Sequence, residues 1–174
     1  IHKITDGWAG GLTLVSESLR QFKKLQHLPE RLSSEVFNFF SQEIYKHLPD
    51  SIREFLIKTS ILETIDLEMV NHIFKSEDAL DILSELEKRN LFIQRIDSDN
   101  QWPKYKYHNL FRDFLLQDLI KMKGRKAYKS LNQKVGQFFW ERKEHEQALN
   151  YFSEADAFLD IVRIIKIKGT DYII

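Results

Sequence analysis

The 174-residue sequence contains no cysteine. That removes disulfide frameworks, thiol nucleophiles and cysteine-ligated zinc, and it fits a reducing compartment. A surplus of either charge is also missing, since 26 lysines and arginines balance 26 aspartates and glutamates. No global field therefore draws the chain to nucleic acid or to an anionic membrane, and DNA binding would need a local basic patch. The absence of cysteine is the ground on which the location is read as cytoplasmic, and since no run of eighteen apolar residues occurs, no membrane-spanning helix is expected. With three prolines and six glycines, the sequence has no low-complexity linker. Ile1-His2-Lys3-Ile4 opens without methionine or a signal-peptide core, which reads as a piece of something larger.

Catalytic signatures are equally scarce. Gly7, Gly10 and Gly11 lack the preceding strand of a dinucleotide cradle and the lysine of a phosphate loop, so they read as close packing in a helix start. His2, His27, His47, His72 and His145 are scattered without metal-site spacing, and no GxSxG elbow is present. The segment is expected to be non-catalytic, with no catalytic residue, no metal and no cofactor of its own.

What is present is a core-forming composition, 43% hydrophobic and 13% aromatic, organised around residues 90–119. Leu91, Ile93 and Arg95 alternate with Phe92, Gln94 and Ile96, the cluster Asp97-Ser98-Asp99-Asn100 interrupts, and Trp102 and Lys104 to Tyr107 alternate again. That is the pattern of a β-hairpin. At His108 the period changes, and Leu110, Phe111, Phe114, Leu115 and Leu119 recur at helical spacing. Helix, ribbon, helix is the wing of a winged-helix domain.

Upstream, the apolar spacing predicts a helix over 8–25, ended by His27-Leu28-Pro29, and a second from Ser33 with Val36, Phe37, Phe40, Ile44 and Tyr45 inward. Ser51 to Glu54 resembles a capped start, with Phe55, Leu56, Thr59 and Leu62 on the core face. A short helix is expected from Asp66 through Leu67, Val70, Ile73 and Phe74. Another covers 77–89, with Leu80, Ile82, Leu83 and Leu86 inward. In a helix-turn-helix this last segment is the recognition helix. Its outward set, Glu77, Asp78, Asp81, Glu85, Glu87, Lys88 and Arg89, is mostly acidic, and carboxylates repel the phosphates that dominate DNA affinity. Lys104, Lys106 and Arg95 on the wing leave room for weak backbone contact.

After the wing, the basic run 121–126 contains Gly124, an expected helix end or joint, and reads as a solvated surface. Helices are predicted over 128–142, with Leu131, Val135, Phe138 and Phe139 inward, over 144–152, and from Ala157 to Ile167. Their aromatic and small-residue spacing is that of a tetratricopeptide-like unit, which cannot bury its apolar face alone, so more repeats are expected to follow. The expected fold is thus mostly α: a winged-helix domain with one β-hairpin, followed by tetratricopeptide-like helical hairpins.

Four blocks then carry a resemblance. Asp6-Gly7-Trp8-Ala9-Gly10-Gly11-Leu12-Thr13-Leu14, residues 55–62, Leu86-Glu87-Lys88-Arg89-Asn90-Leu91-Phe92-Ile93 and Tyr105-Lys106-Tyr107-His108-Asn109-Leu110-Phe111 are similar, in order and spacing, to the MalT-like transcription activators of the STAND ATPase class. The resemblance implies that 1–32 is the end of the ATPase helical extension, 33–124 the winged helix and 125–174 the first repeats. It implies a non-catalytic regulatory module that couples nucleotide state to effector-sensing repeats. The implied partners are the nucleotide-binding domain and repeats of the same polypeptide, and an inducer of the parent. The family's Walker lysine, magnesium-binding acids and terminal helix-turn-helix have no counterpart, so ATP and ADP belong to the parent and no operator is read here. Tyr107-His108-Asn109-Leu110-Phe111 resembles the class pattern Met-His-Asp-Leu-Leu, whose histidine contacts the phosphates of bound ADP; Asn109 stands where the acid would be. The resemblance makes His108 the candidate cofactor-binding residue, at a helix N-terminus that favours an anion. The plainer alternative is that His108 caps its helix or packs beside the wing. Two further expectations stand: a winged-helix DNA-binding regulator acting alone is the alternative function, and the exposed repeat edge could drive self-association.

Overall fold

A computed structural model of the chain describes residues 45–88, 92–96 and 103–171. The helices expected over 8–25 and from Ser33, the segment 1–32, and Leu91 and Trp102 of the ribbon lie outside the described residues.

A 3-10 turn at Tyr45–His47 leads into α1, Asp50–Thr59. The helix starts one residue before the expected capped segment. Pro49 occupies the cap position with no side-chain hydrogen bond, and Asp50 sits in the first turn, paired with Arg53. Phe55, Leu56 and Ile57 are buried, and each such side chain contributes about 1.5–3 kcal/mol. Leu62, expected on this helix, is buried instead from the turn beyond it, where its N–H donates to Thr59 O.

The strand β1, Ile65–Asp66, leads directly into α2, Leu67–Phe74. Asp66 caps α2 by accepting from the Glu68 N–H at 2.9 Å, and Lys75 ends it in the left-handed region. α3 follows at Ala79–Lys88, with Ala79, Ile82, Leu83 and Leu86 buried. Leu80, expected inward, lies on the outer face, because Ala79 at the helix start takes the inward place.

The ribbon is β2, Ile93–Ile96, and β3, Lys104–Tyr107, antiparallel with Ile93 opposite Tyr107 and Ile96 opposite Lys104. The sequence pointed to a two-stranded hairpin; β1 adds a third strand by pairing Ile65 with Tyr105, giving the order β1-β3-β2. Phe92 enters the ribbon at φ 59°, a costly conformation for a bulky residue, held by burial and by its ring 4.8 Å from that of Phe111.

The long α4 spans Asn109–Glu141 and breaks at Gly124, φ 79° and ψ 165°, the expected joint. Its second half runs antiparallel to α5, His145–Glu154: Phe139 stacks on Tyr151, and Trp140 meets His145. α6, Phe158–Asp171, packs Ile164 against this hairpin and leaves Phe158, Leu159, Val162 and Ile165 exposed on its other side.

One core joins the parts. Val135 and Phe138, from the second half of α4, belong to the same buried cluster as Leu56, Leu83, Tyr105 and Phe111. No helix of the described residues is long and apolar enough to cross a membrane.

Candidate functional site

Three features of the winged helix bear on its function. The first is the outer face of α3. Ser76 Oγ donates to Asp78 Oδ1 at 2.7 Å in the turn before the helix, and Glu77, Asp78 and Asp81 are exposed around Leu80. A shallow groove of about 350 Å³ lies between α2 and α3, lined by Leu67, Glu68, Asn71, Glu77 and Leu80. Glu87, expected to be fully outward, is half-buried and accepts a hydrogen bond from Tyr105 Oη. Negative charge therefore stands where a DNA reader carries cations.

The second feature is the wing itself. Lys104 is paired with Asp66 at 3.2 Å, which neutralises one of its three expected cations. Arg95 lies opposite Tyr105 and Lys106 opposite Gln94, so the two exposed cations point from opposite faces of the ribbon. They cannot jointly grip one phosphate strand.

His108 is the third. It occupies the N-cap of α4 with no side-chain cap hydrogen bond, and it is 5% exposed. Its N–H donates to Phe92 O at 2.8 Å, and its carbonyl accepts from the Arg112 N–H at 2.9 Å. The residues on either side fasten this turn to the end of α1. Thr59 Oγ1 donates to Phe55 O, which leaves Tyr107 Oη to donate to Thr59 at 2.7 Å. Arg112 donates from Nε to Ser60 O at 3.0 Å and from Nη2 to Ile61 O at 3.2 Å, supplying partners for carbonyls at the helix end. Burial holds the Tyr107 hydroxyl well above the usual tyrosine range, so it serves as a neutral hydrogen-bonding group. The histidine's place followed from the change of period, and spacing put Thr59 on the core face; the bonds of Thr59 and Arg112 gave no local signal, because their partners are about fifty residues away.

Below this turn a cleft of about 500 Å³ separates the α1–β1 connection from α5, with Arg112, Tyr128, Asn132, Tyr151 and Glu154 among its lining. Tyr151 Oη accepts the Glu63 N–H at 3.4 Å, and Tyr128 Oη donates to Glu154 Oε2 at 2.5 Å. Burial first, and then Glu154, push the Tyr128 hydroxyl up to about 12; burial also raises Tyr151. Across the neighbouring surface Arg142 pairs with Glu68 and lies 4.0 Å over the Phe138 ring, while His72 meets that ring from α2. Among the described residues no group of three histidines, cysteines, aspartates or glutamates is placed to hold a metal ion.

Helix, strand, two helices and an antiparallel ribbon on one core define a winged-helix domain. The MalT winged helix domain model matches residues 41–127, half of the chain. The chain belongs to that family. It is 32% identical over 116 residues to the HTH-type transcriptional regulator MalT of Klebsiella pneumoniae strain 342. Over the same length it is 29% identical to the protein of that name from Cronobacter sakazakii. Each alignment covers 64% of this chain and 13% of the relative, so the chain spans a small part of the regulators it matches.

Proposed function

We propose that this chain is a non-catalytic coupling module of a MalT-like transcription regulator, carrying the effect of nucleotide state to effector-sensing helical repeats. The observation that carries the proposal is the continuity of the core: Phe138 and Val135 of the hairpin are buried with the winged helix, so displacing one displaces the other. The boundaries of the three segments, 1–32, 33–124 and 125–174, belong to this proposal, as does a cytoplasmic location. The two apolar sides of α6, one covered by α5 and one open, support a repeat array that continues past it.

The acidic face of α3 and the divided wing cations favour this role over a DNA reader acting alone. His108 is proposed as the contact to ADP phosphate when the nucleotide-binding domain of the same polypeptide closes on the end of the wing. Its position at the N-cap of α4, with its backbone N–H bonded to Phe92 O, supports that assignment. The nucleotide and the inducer act on the whole regulator, and the module supplies the mechanical link.

The test is Phe138→Ala in a regulator carrying this segment, measuring inducer affinity with and without bound nucleotide. Such coupling is worth about 1–3 kcal/mol in typical systems, so inducer should still bind while its nucleotide dependence shrinks severalfold. Unchanged coupling in a variant that has lost stability at this contact would defeat the proposal.

A further inference from the structure

The cleft of about 500 Å³ between the end of α1 and α5 is lined largely by polar side chains. Its size falls within the roughly 300–1,000 Å³ of small-molecule sites. Among the described residues that line it, Arg112 is the single cation, and Glu63 and Glu154 are the acids. Arg112 is half-buried and holds the carbonyls of Ser60 and Ile61 with Nε and Nη2, so its Nη1 takes no part in those bonds. Burial is the larger influence on the Tyr128 and Tyr151 hydroxyls, and the Arg112 charge pulls both the other way, so the guanidinium stands near the two tyrosines. Tyr128 Oη donates to Glu154 Oε2, which fixes that carboxylate at the cleft. Asn132 is 2% exposed, and its Nδ2 donates to Tyr128 O at 3.0 Å, which holds the carboxamide in the wall.

A simple anion in this cleft would meet the carboxylates of Glu63 and Glu154, and a simple cation would meet Arg112. A neutral ligand would add no counter-charge to a half-buried guanidinium. A ligand that carries both charges satisfies both sides at once. We infer that the cleft binds a small zwitterion of the α-amino-acid class: its carboxylate takes Arg112 Nη1, its ammonium faces Glu154 and Glu63, and its side chain lies against Ile61 and Leu116. Hydrogen bonds between ionised partners are the strong ones, so the two ends of the ligand set its orientation. Arg112 and Ile61 belong to the winged helix and Glu154 to the hairpin, so an occupant touches both and stabilises their packing by mass action. The inference goes beyond the coupling role and stands without it, since binding to this chain requires neither nucleotide nor inducer.

Heteronuclear NMR titration of the 174-residue chain with the standard L-α-amino acids in turn tests the inference, each binder being compared with its own N-acetyl and C-terminal amide derivatives. At least one amino acid should saturate and move the side-chain carboxamide signals of Asn132 and Asn150, which line the cleft. Either derivative should bind at least about tenfold more weakly, because each leaves one charge of the cleft unpaired. Glu154→Gln keeps an acceptor for Tyr128 Oη and removes the charge. It should weaken the parent amino acid about tenfold and leave its N-acetyl derivative, which has no ammonium, unchanged; a merely structural effect would weaken both. Failure of every amino acid to saturate at millimolar concentration overturns the inference. So does equal affinity for a parent and both of its derivatives, which would leave the charges of the cleft out of recognition.

Discussion

Replacing Gly136 with alanine sets two effects of opposite sign against each other. An added Cβ would lie 2.7 Å from Cδ1 and 2.8 Å from Cε1 of Phe152, about 0.7 Å inside the 3.4 Å at which ordinary contact begins. Phe152 cannot swing aside freely: it is fully buried, in a small cluster with Ala148 and Ile164. Overpacking of this kind costs about 1–3 kcal/mol, whereas exchanging a mid-helix glycine for alanine returns about 1 kcal/mol of helix propensity. The packing term wins, for a net loss of about 1 kcal/mol and a fall of about 2–4 °C in melting temperature for a chain of this size. Thermal unfolding followed by circular dichroism measures it. Repeating the substitution in a Phe152→Leu background isolates the contact, and the alanine should cost less there by about 1 kcal/mol. If Gly136→Ala instead raises the melting temperature, propensity has prevailed and α4 and α5 are not in the close contact described.

Two further outcomes follow from the tyrosines and from His108. The Tyr128 hydroxyl ionises near 10.0 in an unfolded chain and near 12 in the folded one, so its contribution to stability is complete below pH 10 and disappears as pH rises toward 12. Tyr128→Phe should therefore flatten the alkaline loss of stability in urea titrations. It should not abolish the loss, since buried Tyr45 and Tyr107 are also raised; an unchanged slope would contradict the assignment. His108→Ala in a regulator carrying this segment should loosen ADP and raise basal activity, and unaltered ADP release measured by stopped-flow would remove His108 from the nucleotide site.

The alternation of Ile93, Tyr105 and Tyr107 made the ribbon legible, and the shift to helical spacing at His108 located the start of α4. Gly124 was legible as a joint for a local reason, the glycine itself. The strand Ile65–Asp66 was not, because two residues are too few to show a period and their partner is Tyr105, forty positions away. Leu80 was placed on the wrong side of α3 because a stripe drawn from large apolar residues overlooks Ala79, which is small and fully buried. Similarly, the cap expected near Ser51 gave way to Pro49, whose fixed φ suits the entrance of α1 without any side-chain bond. For the candidate site, His108 and the acidic face of α3 could be read from spacing and charge. The fastening of His108 through Thr59, Arg112 and the carbonyls of Ser60 and Ile61 could not, since each bond joins residues brought together only by the finished fold.

If the winged helix and the first helical hairpin move as one body, native-state hydrogen exchange should find a single opening that exposes both. The amides of Leu83 and Leu86 in α3 and of Val135 and Phe138 in α4 should report opening free energies that agree within about 1 kcal/mol, and they should fall together as denaturant is added. If Val135 and Phe138 exchange through a separate opening several kcal/mol cheaper than that of α3, the hairpin swings free of the winged helix and cannot transmit its position.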